Sequence, residues 1–171
     1  MLIQMEVIVL IKSFVITTRA WRERLFHNLQ DQGCKDLSHR PKSGMSSVGW
    51  LLGHQGAAYD YTLNMLIKGK SPKNPDMFYA YVGDSTDNGD WKGNSLEEIN
   101  GYFTSVETDF LTWFEQVSDK ELNRILEGPE TPQFFQGMRV LEAITHMFVH
   151  LNYHNGHLSA IKGDWCQQEE K

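Results

Sequence analysis

The sequence predicts an all-α protein, a four-helix bundle with long crossover loops. Three observations carry that reading. Four stretches repeat apolar residues every three or four positions, the segments between them are punctuated by Pro and Gly, and no run has the look of a strand that competes with these helices. The 171 residues suit one domain, and 40% hydrophobic against 22% charged residues can bury a real core.

The first helix is expected over about 3–31. At about 100° per residue, Ile3, Val7, Leu10, Ile11, Phe14, Thr18, Trp21, Leu25 and Leu29 share one face, while Arg19, Glu23 and His27 point elsewhere. The β-branched start Val7-Ile8-Val9 also suits a strand, but the face runs on into Ala20–Gln30 and Gly33 supplies a stop. A second apolar strip of Ile8, Val15 and Phe26 makes this helix greasier than one pair of bundle partners needs, so a homodimer is expected.

After Pro41 and Gly44, Ser46 or Ser47 can cap a second helix over about 46–68, with Trp50, His54, Ala58, Tyr61 and Met65 as its inward stripe and Gly69 at its end. Pro72, Pro75, Gly83, Gly89 and Gly93 then make 69–94 a long crossover, with one short helix around Asp76–Tyr81. Its aromatics Phe78, Tyr79, Tyr81 and Trp91 either form a lid over a pocket or bury the loop, and burial is the expectation. Ser95 with Glu98 has the capping-box spacing that opens a third helix over about 95–117, whose seam is Ile99, Phe103, Val106, Phe110, Trp113 and Val117. A second crossover spans 118–137. The fourth helix follows Pro129, Pro132 and Gly137 and covers about 138–162, with Gly163 as its stop.

Composition excludes several functions. Sixteen Lys and Arg against 22 Asp and Glu leave a net charge of −6, so phosphate-backbone binding is not expected and no nucleic-acid partner is proposed. The basic residues Arg19, Arg22, Arg24, Lys35, Arg40 and Lys42 are interspersed with Glu23, Asp31 and Asp36, which reads as a solvated face. The apolar run Val7–Ile11 falls far short of the ~20 residues that cross a bilayer, so no membrane role is expected. Cys34 and Cys166 have no partner at metal-ligand spacing, which points to a reducing cytoplasm and away from a disulfide scaffold or a catalytic thiol.

The chemistry sits in the histidines. His146, His150, His154 and His157 fall within an arc of about 80° on the fourth helix, and Ala143 and Ile161 continue that stripe, so it faces the interior or a cavity. Unpaired buried imidazoles are costly, and neutral imidazole is a leading ligand for divalent cations. Two histidines four apart can hold one ion if another element gives a third donor, for which His54 is the candidate. Three imidazoles would suit Zn²⁺, Ni²⁺, Fe²⁺ or Mn²⁺ and leave a position open. Satisfied core histidines remain the alternative. His146 and His157 can be extra ligands, groups bonded behind the ligands, or proton carriers; His27 and His39 read as surface residues.

Met45-Ser-Ser-Val-Gly-Trp-Leu-Leu-Gly-His54 and His150-Leu-Asn-Tyr-His154-Asn-Gly-His-Leu158, with Arg40-Pro41 ahead of the second helix, resemble the DinB-like (YfiT-like) superfamily of metal-binding four-helix bundles. The likeness covers roughly 20–162. It implies that His54, His150 and His154 are the metal ligands, with His146 and His157 behind them. Two departures stand out. The family usually reads Arg-Gly-Gln after the last ligand, where this chain has Asn155-Gly156-His157, and it often carries an acid five positions after the first ligand, where this chain has Tyr59. Asp60 follows Tyr59, but at about 240° from His54 it is expected to point away from the ion.

The resemblance implies a broad activity: transfer of low-molecular-weight thiols such as bacillithiol, mycothiol or glutathione-like compounds to small electrophiles, or an isomerisation that depends on such a thiol. The same site suits a metal-dependent hydrolase. A non-catalytic bundle stapled by the ion is the third reading. It expects a closed coordination sphere completed by His146 or His157 and no pocket beside it, whereas an enzyme expects an accessible position.

Overall fold

The computed structural model describes residues 2–31, 36–40, 45–83 and 89–166; of residues 2–8, 12, 26, 28–31 and 162–166 it describes the helical backbone only. The expectations for the side chains of Ile3, Val7, Ile8, Phe26, Leu29 and Cys166, and for Cys34, Pro41 and Gly44, lie outside the described residues. The elements, in order, are α1 (Leu2–Asp31), α2 (Val48–Asp60) with a π-helical continuation (Tyr61–Ile67), α3 (Pro75–Tyr81), α4 (Leu96–Gln116), α5 (Asp119–Leu122), a 3₁₀ turn (Gln133–Phe135) and α6 (Val140–Cys166). No helix among the described residues is long and apolar enough to cross a membrane.

Helix ends follow local chemistry. Ser47 accepts from the Trp50 amide at the start of α2, Asn74 caps α3 ahead of Pro75, and Ser95 with Glu98 closes a capping box at α4. Gly163 does not stop the fourth long helix, which runs through it to Cys166. The second crossover holds more structure than its composition suggests. Besides α5 and the 3₁₀ turn it has an isolated antiparallel bridge between Ile125 and Arg139, which brackets the 3₁₀ turn and ties the loop to the base of α6.

Side-chain pairs set the directions of the four long helices. Gly56 meets Tyr102, and Tyr59 meets Glu107, so α2 and α4 run parallel, as the long crossover between them requires. His54 meets His150 and Tyr59 meets Phe148, so α6 runs antiparallel to α2. Arg22 bonds Asn100 while Arg19 reaches Glu107, so α1 is antiparallel to α4 and therefore parallel to α6.

The face of α1 differs from the expectation. Ile11, Val15, Thr18, Arg22 and Leu25 are buried, while Leu10, Phe14 and Trp21 are exposed. Arg22 is the cause: its guanidinium carbon lies 3.2 Å from the Phe103 ring centroid and it donates to Asn100 at 3.3 Å, so the buried stripe is centred on a charged residue that hydropathy assigns outward. Thr18 meets Asn152 of α6 at 3.0 Å. The seam of α4 also shifts at its end, where Phe114 is buried and Trp113 and Val117 are only partly so. His39 is a further correction, being 7% exposed and not a surface residue.

Candidate metal centre

Helix α2 is buried nearly all round, and its glycines let neighbours approach the backbone closely. At Gly53 a β-carbon would stand 2.5 Å from Cγ of Tyr81, so only glycine lets that ring lie against the helix. The Tyr81 ring is fully buried there and its hydroxyl donates to Asn94, which anchors the end of α3. The Tyr81 main-chain oxygen is thereby brought 2.7 Å from His54 Nδ1. That nitrogen carries the proton, and the lone pair of His54 is left on Nε2. Trp50, one turn earlier, stacks on the imidazole at 4.3 Å between centroids.

His150 and His154 stand one turn apart on α6 and face His54. The Nε2 atoms of His54 and His150 are 2.8 Å apart, and those of His150 and His154 are 3.1 Å apart. Three converging ring nitrogens cannot satisfy one another, because one N–H on His150 serves only one neighbour. Two nitrogens bound to one cation at ~2.0–2.1 Å stand about 3 Å apart or slightly more, so the donor set fits an ion. Among the described residues these three histidines form a group that could hold a metal ion.

The electrostatics favour neutral imidazoles. Burial, then His54 and His146, pushes His150 down to about 4; burial, then His54, His150 and His157, pushes His154 down to about 2. Burial also lowers His54, against its bond to the Tyr81 backbone. Neutral nitrogens are what a cation needs. Nδ1 of His154 is buried and has no hydrogen-bond partner among the described residues.

A cavity of about 170 Å³ opens beside His54 and His150, lined also by Ala57, Ala58, Tyr61, Thr62, Val82, Phe135, His146 and Met147. His146 therefore stands in the cavity wall, its ring 6.3 Å from that of His150. His157 does not line the cavity; it packs on Tyr153 at 4.2 Å, with His154 at 5.9 Å. Of the crossover aromatics, Phe78 and Tyr81 are buried in the core, and Tyr79 is exposed. None of them, nor Trp91, lines the cavity.

The residues flanking the ligand positions have other duties. Tyr59 points its hydroxyl at Glu107, 3.5 Å away, and its ring at Phe103, Phe110 and Phe148. Asp60 turns away from the histidines and accepts from the Lys73 amide, the Asn64 amide group and the Tyr102 hydroxyl, which docks the first crossover on the bundle. Asn155, where the family has Arg, is buried, and neither side-chain amide atom has a hydrogen-bond partner among the described residues.

Sequence reasoning missed the Tyr81 carbonyl, which no side-chain pattern encodes. It also missed Phe135, brought in by the 3₁₀ turn, and the π-helical winding at Tyr61 and Thr62. The spacing of Gly53 one residue before His54 was a usable clue, since a helical glycine in a buried stripe marks a close approach.

A long-crossover bundle with three imidazoles converging from its second and fourth long helices defines a class of helical proteins built around a potential metal site. The DinB superfamily model matches residues 17–158, and the chain belongs to that superfamily. A search of the curated proteins finds no match.

Proposed function

We propose that His54, His150 and His154 hold one divalent cation and that the protein is an enzyme acting on a small molecule in the adjoining cavity, by transfer of a low-molecular-weight thiol. The observation that carries this reading is the cavity. It reaches His54 and His150, and the metal group includes neither His146 nor His157 as a closing ligand. A closed structural staple would have no such access.

A cation bound there would supply Lewis acidity to a thiol at its open side. The chain's own residues do the rest. Tyr81 fixes the His54 tautomer and Trp50 holds its ring. In the transfer, the thiol sulfur forms a bond to the electrophilic carbon, the leaving group departs with its electron pair, and the thiol proton passes to an imidazole nitrogen of His146. His157, away from the cavity, serves as a packing group behind His154. Val15, part of the strip on which pairing is expected, is buried; Leu10, Phe14 and Trp21 are exposed on α1 and support pairing of two chains as a homodimer instead.

The test is metal content. Tag-free protein is expected to carry about one divalent ion, and His54→Ala or His150→Ala to carry much less. Chelation should also lower the melting temperature, since an ion at a hundred to a thousand times its dissociation constant contributes about 3–4 kcal/mol. Equal metal content in wild type and variants would overturn the assignment.

A further inference from the structure

The cavity beside the histidines has a composition that selects its occupant. No Lys or Arg lines it among the described residues, and its non-histidine wall offers only the Tyr61 and Thr62 hydroxyls as side-chain polar groups. A carboxylate or phosphate seated against this apolar wall, away from the histidines, would give up hydrating water without meeting a Lys or Arg in return. Its volume, about 170 Å³, is near that of the apolar cavity of about 150 Å³ that takes up benzene.

The wall is also shaped for a ring. Ala57 and Ala58 keep the α2 side shallow, and Met147 offers an adaptable thioether opposite. Phe135 has its ring 6.1 Å from Tyr61 and 5.7 Å from His146, which are aromatic contact distances, so it bridges two cavity walls. The π-helical segment contributes Tyr61 and Thr62 as consecutive lining residues; its wider winding is marked by the Lys68 amide bonding the Leu63 carbonyl at 3.1 Å. Such winding is common where a helix serves a site.

We infer that this cavity binds an uncharged, ring-sized apolar group, and that Phe135 is its main selecting residue. The substrate class is then a small compound carrying an aromatic or comparably apolar group that seats in this wall, with any charged group on it directed to the histidine cluster or to solvent. This rests on the reading of the histidine cluster as the reaction centre.

The experiment uses two probes of one size, benzyl alcohol and benzoate, followed by NMR on the methyl groups of Met147, Ala57 and Ala58 in chelated full-length protein. Chelation keeps benzoate from binding through a metal. Benzyl alcohol is expected to shift these methyls saturably, with benzoate at least tenfold weaker. Phe135→Ala should weaken benzyl alcohol severalfold, and Ala58→Leu, which fills the space, should do so by a separate route. Zinc uptake by both variants should match wild type. Equal or tighter benzoate binding would overturn the proposal, as would Met147 methyl shifts that neither variant reduces. Zinc uptake without probe binding overturns this proposal alone; probe binding without zinc uptake supports the pocket and overturns the metal reading instead.

Discussion

The main-chain oxygen of Tyr81 lies 2.7 Å from Nδ1 of His54, so a residue 27 positions downstream decides which nitrogen of that histidine faces the other two. The contact depends on the absence of a side chain at Gly53, against which the Tyr81 ring lies. A ligand and the group that orients it are thus carried by adjacent elements, α2 and the end of α3, pressed together at one glycine.

Gly53→Ala should therefore push Tyr81 off the helix. The expected cost is about 1–3 kcal/mol from overpacking, with a 10–100-fold loss of metal affinity as His54 loses its partner. Gly101→Ala is the contrast, because a β-carbon on that exposed face of α4 meets nothing within 4 Å. It should stabilise the protein by about 0.5–1 kcal/mol through helix propensity alone. Urea unfolding and metal titration of the two variants check both expectations.

The metal-free protein should lose stability as pH falls from about 6.5. His150 and His154 stay neutral in the fold down to about 4 and about 2, whereas in the unfolded chain they take up protons near the ordinary imidazole value of ~6.5. Between those limits the unfolded state binds more protons, so unfolding free energy rises with pH and falls with acid. Urea midpoints of chelated protein at pH 7, 6 and 5 should decline in that order, and less steeply in His154→Leu. A flat profile would mean these rings are solvated.

Self-association should run through the outer edge of the α1–α6 seam. With the two helices parallel and Thr18 against Asn152, Leu10, Phe14 and Trp21 of α1 and Val149 and Tyr153 of α6 flank the same side, all exposed. Light scattering is expected to give twice 19.7 kDa, and Trp21→Lys combined with Val149→Lys to give the single-chain mass with unchanged helicity. A single-chain mass for wild type across a wide concentration range would leave the patch without this role.

By itself the sequence determined the helical bundle, the crossovers that separate its four long helices, and the alignment of His150 with His154. These follow from distances along the chain: a helical period, a capping serine three residues before a glutamate, two imidazoles one turn apart. It also put His54 on a helix expected to face inward. Tertiary structure decided what no local period encodes. The buried Arg22 re-aimed α1, because the Phe103 ring and Asn100 offset a burial that hydropathy alone forbids. Phe135 and Tyr61 became cavity walls through loop docking and a π turn. The tautomer of His54 was set by a backbone carbonyl, a group every residue carries, so only the close approach permitted by Gly53 singled out Tyr81 to supply it.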